Sequence, residues 1–185
     1  MKVIQPTAIV QHGYIVRPGG LDEALDHWTQ IIGAGPFFRM TPNLSNQVFR
    51  GSPTNMTARV ALGYAGDVQV ELIEPTNEGA GPYLEWLGMQ SVVPKGGVFH
   101  HVMLDAGDFD ATYARLLQGG CKKAFDATGT MGGRIAYLES FDTVGGYIEL
   151  IDVAQWPELC VRLKRAHREW DGTEPVRDME QLPLA

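Results

Sequence analysis

The feature that most constrains this chain is an order of elements that occurs twice along it. An apolar stretch over residues 8–16, rich in Ile and Val, reads as a strand and is broken by Pro18-Gly19-Gly20. Leu21, Ala24, Leu25, Trp28, Ile31 and Ile32 then recur at helical spacing, and Gly33 supplies a stop. Short strands are expected around 37–40, 47–49 and 57–64, and DVQVELIE at 67–74 is a strand ended by Pro75. The second half runs in the same order: a strand at 98–105, a helix at 109–117 stopped by Gly119-Gly120, and strands at 121–125, 134–139 and 147–152. Leu21-Asp22 and Gln30 return as Phe109-Asp110 and Gln118 at a constant interval of 88 residues. His12 and His101 stand 89 apart whereas Glu71 and Glu149 stand 78 apart, so the first half carries the longer loop, placed within 41–56.

The expectation is an α+β chain of two tandem βαβββ modules, residues 1–78 and 97–153, which share one core because neither is large enough to bury its own. Residues 79–96 (opening GAGPYLEWLGM) form a linker with a short helix. Residues 154–185 form an added helix and tail. After Pro157, the residues Leu159, Leu163, Ala166 and Trp170 share one helical stripe, which reads as a helix closing an edge of the core. From Asp171 onward the chain is polar and Pro-containing and is expected to be loosely held.

Composition removes several classes of function. With 15 Lys and Arg against 22 Asp and Glu, the net charge of −7 argues against a nucleic-acid or anionic-membrane binder. No apolar run approaches the roughly 18–20 residues of a spanning helix. MKVIQPTAIVQHGYIV lacks the apolar core and cleavage site of a signal peptide and reads as a strand. Cys121 and Cys160 form no CxxC pair, so reduced thiols in a cytoplasmic protein are expected.

Side chains alternate across a sheet, so His12 is expected to share a face with Tyr14 and Val16, Glu71 with Gln69 and Ile73, His101 with Phe99 and Met103, and Glu149 with Tyr147 and Ile151. Each strand places one metal-capable group among apolar neighbours. A carboxylate there is costly unless a cation or hydrogen-bond donors compensate it. A lone strand histidine is most often structural. The recurrence of His early in the first strand and Glu in the last strand of both halves instead points to one divalent ion held by His12, Glu71, His101 and Glu149. Two imidazoles and two carboxylates suit Zn, Ni, Co, Mn or Fe with two positions left for water or substrate.

On the segments VQHGYIV, VQVELIEP, GGVFHHVML and GGRIAYLESFDTVGGYIELID, spanning about Ile9 to Val153, the chain resembles the vicinal-oxygen-chelate proteins. These include glyoxalase I, methylmalonyl-CoA epimerase, extradiol dioxygenases and the fosfomycin and bleomycin resistance proteins. The likeness is greatest to the epimerase and glyoxalase-like branch. It implies a curved, partly open eight-stranded barrel-like sheet and maps the ligands to the same four residues. His100 is the adjacent alternative, expected to face away from His101. The resemblance further implies a lyase or isomerase that transfers a proton next to a metal-bound carbonyl of a small organic substrate, with Glu149 and Glu71 as candidate bases. It also implies a homodimer. The epimerases carry a second acidic residue on an earlier strand of the first half, but the best alignment places Arg59 near that position, where it could anchor an anionic substrate. An Fe(II) dioxygenase with two histidines and one carboxylate, or a sequestering protein on the same fold, are the alternative readings. Of the aromatics that could line a pocket for an apolar substrate (Phe37, Phe38, Phe49, Tyr83, Trp86, Phe99, Phe141), Phe38, Phe49 and Trp86 are singled out with Arg59.

Overall fold

Eight of the expected strands pair in two equivalent sets of four. The computed structural model describes residues 7–130 and 132–184. In the first half, β1 (Ile9–Ile15) lies parallel to β6 (Val68–Pro75), β6 antiparallel to β5 (Ala58–Ala65), and β5 antiparallel to β2 (Phe37–Met40). The second half repeats this with β7 (Val98–Leu104), β10 (Gly146–Asp152), β9 (Arg134–Ser140) and β8 (Lys122–Thr128). An antiparallel β1–β7 contact joins the two sets. The four strands expected to carry the ligands therefore stand side by side, in the order β6-β1-β7-β10.

A parallel first and last strand require a crossover, and a helix supplies it in each half. α1 (Leu21–His27) continues through a π-helical turn, Trp28–Ile32, and ends at Gly33, whose φ of 75° only a glycine adopts without strain. It buries Leu21, Ala24 and Leu25 against Val16, Phe37, Ala61, Val70 and Leu72. α3 (Phe109–Gln118) starts where the Asp108 carboxylate accepts the Ala111 N–H at 3.0 Å, and packs Phe109 and Leu116 on Val102, Leu138, Ile148 and Leu150. Both helices cover the outer face. The inner face holds a separate cluster that includes Ile15, Phe38, Leu62, Ile73, Phe125, Tyr137 and Tyr147, joined by Tyr83 of α2 (Pro82–Gly88).

Eleven strands are present among the described residues, all in one sheet, where nine strands were expected and eight of them in the sheet that the resemblance implies. β3 (Ser45–Phe49), expected around 47–49, and β4 (Ser52–Pro53) come from the longer loop of the first half, which crosses to the second half and pairs with β8. β11 (Val176–Asp178) pairs with β2. An edge strand presents unpaired N–H and C=O groups, and these additions satisfy both edges. β4 and β11 end the strand order, so the curved sheet stays open.

The C-terminal tail departs from expectation. It is docked: Leu182 is buried with Leu163 and Ala166 of α4 (Trp156–Arg168), and Arg162 donates to the carbonyls of Leu182 and Pro183 at 2.8 Å each. Residues 1–6 of the expected N-terminal strand lie outside the described residues. Among the described residues, no helix is long and apolar enough to cross a membrane. Both cysteines are free thiols.

Candidate metal centre

Three of the four expected ligands meet. Glu71 on β6, His101 on β7 and Glu149 on β10 all project from the inner face, and one ligand atom from each lies within 4.8 Å of the others. His101 Nε2 is 3.0 Å from Glu149 Oε2 and 3.4 Å from Glu71 Oε2. Gly13 makes this approach possible. It stands between Glu71 and His101 in the strand register, and any Cβ there would overlap the His101 imidazole.

His12 is not part of the cluster. It shares a row with Val70 and Val102, whose side chains belong to the two outer clusters, and its ring lies edge-on to Phe99 at 6.2 Å. The inward residues of β1 are Gln11, Gly13 and Ile15. Gln11 takes the fourth corner: its Nε2 donates to Gln69 Oε1 at 2.8 Å, which leaves its Oε1 facing His101 Nε2 at 3.3 Å. Gln69 in turn reaches Tyr64 Oη and Cys160 Sγ. Burial pushes the Cys160 thiol up to about 11, so it is no nucleophile near neutrality.

His100 also departs from expectation. The β1–β7 register slips between Gly13 and Tyr14, which face His101 and Phe99, so His100 is the extra residue of a β-bulge. The bulge turns both imidazoles inward, with Nδ1 of His100 and Nδ1 of His101 2.9 Å apart. His100 sits among Tyr83, Trp86, Tyr137 and Tyr147. Gly146 leaves room for the displaced His100 carbonyl.

The electrostatics fix the protons. Burial, followed by the charge on His101, lowers the His100 pKa, so His100 is neutral and its Nδ1 accepts. Burial alone would lower the pKa of His101, but the Glu149 carboxylate, aided by Glu71, raises it to about 9. His101 therefore donates from Nδ1 to His100 and presents Nε2 to the carboxylates. Burial, then the Glu149 charge, raises the Glu71 pKa against the opposing pull of His101, and Glu71 Oε2 is buried without a well-aligned hydrogen-bond donor, His101 Nε2 standing 3.4 Å away.

These donors fit a divalent ion. An orphaned carboxylate oxygen, a second carboxylate, an amide oxygen and an imidazole oriented by its neighbour are a ligand set with its supporting hydrogen bond. With one imidazole instead of two, the set is harder than expected.

Above the cluster lies a cavity of about 100 Å³ with Tyr83 and Tyr137 beside the carboxylates. None of Phe38, Phe49, Arg59 and Trp86 lines it. Phe38 is fully buried core, Phe49 packs at the core edge, and Trp86 stacks on Phe141 and donates to the Phe99 carbonyl at 2.7 Å. Arg59 points to the outer face, where Glu74 holds it at 2.5 Å; the inward residues of β5 are Val60 and Leu62. The sequence signal for Tyr137 was its place opposite Glu149 on the neighbouring strand, which needs the β9–β10 register.

Comparison with known proteins agrees with this architecture. No curated protein matches the sequence. Among solved structures, methylmalonyl-CoA epimerase from Mycobacterium tuberculosis superposes with a TM-score of 0.53 at 22% identity, covering 85% of this chain and 97% of the other. A hypothetical protein from Bacillus halodurans superposes with a TM-score of 0.52 at 14% identity, covering 80% and 94%. The family model described as the Glyoxalase/Bleomycin resistance protein/Dioxygenase superfamily matches residues 10–137, well over half of the sequence. The chain belongs to that superfamily, the vicinal-oxygen-chelate proteins.

Proposed function

We propose that the protein is a divalent-metal-dependent isomerase or lyase that moves a proton on the carbon next to a substrate carbonyl. The observation that carries this reading is the buried convergence of Glu71, His101 and Glu149, with one Glu71 oxygen left without a partner. Gln11 Oε1, Glu71, His101 Nε2 and Glu149 would hold the ion. When bound, the ion polarises the carbonyl and offsets the charge that develops as the neighbouring proton leaves. Glu149 and Glu71 flank His101 from two sides and are the groups able to accept that proton and return it. Return to the same carbon from the other side gives an epimer, and return to the neighbouring carbon an isomer. Tyr83 and Tyr137, with hydroxyls 3.2 Å apart and pKa values raised by burial and the nearby carboxylates, stay protonated and donate to a substrate oxygen.

The dioxygenase alternative needs two histidines and a carboxylate; His12 lies on the other face, and His100, though inward, bonds His101 and stands outside the cluster of Glu71, His101 and Glu149. By family likeness we further place the protein as a homodimer, which sedimentation tests. The test of the activity is solvent deuterium uptake at the carbon next to the carbonyl of small α-oxygenated ketones and aldehydes. Uptake that a chelator abolishes and metal restores supports the reading. Oxygen consumption with catechols, or uptake indifferent to the chelator, overturns it.

A further inference from the structure

The charge around the cluster follows from residue type. Glu71 and Glu149 bring two negative charges, and Gln11 and a neutral His101 bring none, so a bound divalent ion makes the sum zero. The cavity above is walled by Met40, Val60, Leu62, Ile135, Ile151 and Trp156, and no Lys or Arg among the described residues lines it. The arginines next to lining residues in sequence are engaged elsewhere: Arg39 with Asp22 and Asp178, Arg59 with Glu74 on the outer face, and Arg134 with Asp110 and Asp152. The polar hydrogens left for a ligand are the hydroxyls of Tyr83 and Tyr137 and the unpartnered indole N–H of Trp156, all three on neutral groups.

We propose that this site selects an uncharged substrate, a carbonyl compound with a neighbouring oxygen and an apolar remainder, and rejects one that brings a carboxylate or phosphate into the cavity. The inference rests on the metal-centre reading above and narrows its substrate class. An anionic group in the cavity would lie against a neutral cluster and largely hydrocarbon walls, with neutral donors but no cation to offset its lost hydration. A free carboxylate such as that of a malonyl group has no cationic partner among the described residues here.

The test uses two hydroxamates of equal length on protein stripped with chelator and reloaded with Co(II). Hexanohydroxamic acid has an apolar tail, and the monohydroxamate of adipic acid carries a carboxylate at the same end. Isothermal titration is expected to show the apolar-tailed compound binding at least about tenfold more tightly. Leu44→Lys, a substitution at the half-exposed rim of the cavity, is expected to narrow that gap. Equal affinities, tighter binding of the acid, a gap unchanged in Leu44→Lys, or no binding of either compound to loaded protein would overturn the inference. Co(II) uptake, measured first, separates the two levels. One ion per chain with any of those outcomes leaves the metal-centre reading standing, whereas failure to take up Co(II) removes both.

Discussion

Gly13→Ala tests the packing on which the cluster depends. Gly13 has an ordinary extended backbone, so an added methyl brings no conformational strain of its own. The three atoms nearest the new Cβ are all ring atoms of His101. That ring is fully buried, tied at Nδ1 to His100 and surrounded at Nε2 by Glu149, Glu71 and Gln11, so it cannot step aside without losing contacts. Overpacking of this kind costs about 1–3 kcal/mol. Replacing a glycine also restricts the unfolded chain, which offsets about 0.4–1 kcal/mol. The net loss is about 1–2 kcal/mol, or roughly 2–8 °C in Tm for a chain of this size. Urea or thermal unfolding of four proteins (the unaltered chain, Gly13→Ala, His101→Ala and the double variant) isolates the cause. With the imidazole removed, the methyl is expected to cost nothing or to stabilise slightly. An equal loss in both backgrounds would refute the close approach of β1 to His101.

Four further outcomes follow from the same geometry. His100→Phe preserves the aromatic surroundings of residue 100 but removes the acceptor that orients His101, and calorimetry should show metal affinity about 10–100-fold lower; unchanged affinity would remove the orienting role. Gln11→His supplies a second imidazole at the fourth corner and should shift preference from Mn toward Ni and Zn in competitive metal titrations, and an unshifted preference would mean that Gln11 does not face the ion. In metal-free protein the His101 pKa is raised from 6.5 to about 9, so its contribution to stability is complete below about pH 6.5 and lost as pH rises through about 9. The raised Glu71 pKa acts in the same direction, and Tm should therefore fall from neutral pH to about pH 9 without metal. Saturating metal should reverse the slope because it requires the deprotonated imidazole, whereas a flat metal-free profile would contradict the assignment. Leu182→Ala should cost about 2–5 kcal/mol in urea unfolding, and a loss below about 0.5 kcal/mol would mean that the tail is not part of the core.

The repeat made the sheet and its helices legible, because a strand followed by a helix and three strands, met twice, leaves few ways to bury both apolar faces. Glu71, His101 and Glu149 were legible for a related reason: each is a polar group on an inward row of a strand whose neighbours are apolar. His12 was misplaced because β1 is central and covered on both faces, with Ile15 inside and Val16 outside, so alternation gives no sign of which row faces inward. The available clue was Gly13, since a glycine within a central strand marks the close approach of another group. The turn of His100 toward His101 depends on a bulge between strands far apart in sequence, which no local pattern encodes. The docking of the tail rests on a few apolar residues, Leu182 above all, within a polar segment whose average composition suggested looseness.

The proposed chemistry requires one ion bound between β6, β1, β7 and β10. Titration of chelator-stripped protein with Co(II), followed by visible absorption and calorimetry, measures this directly. One equivalent per chain is expected, with uptake lost in His101→Ala and in Glu149→Gln and retained in His12→Ala. Absence of uptake, or uptake that depends on His12 and survives the loss of His101, would contradict it.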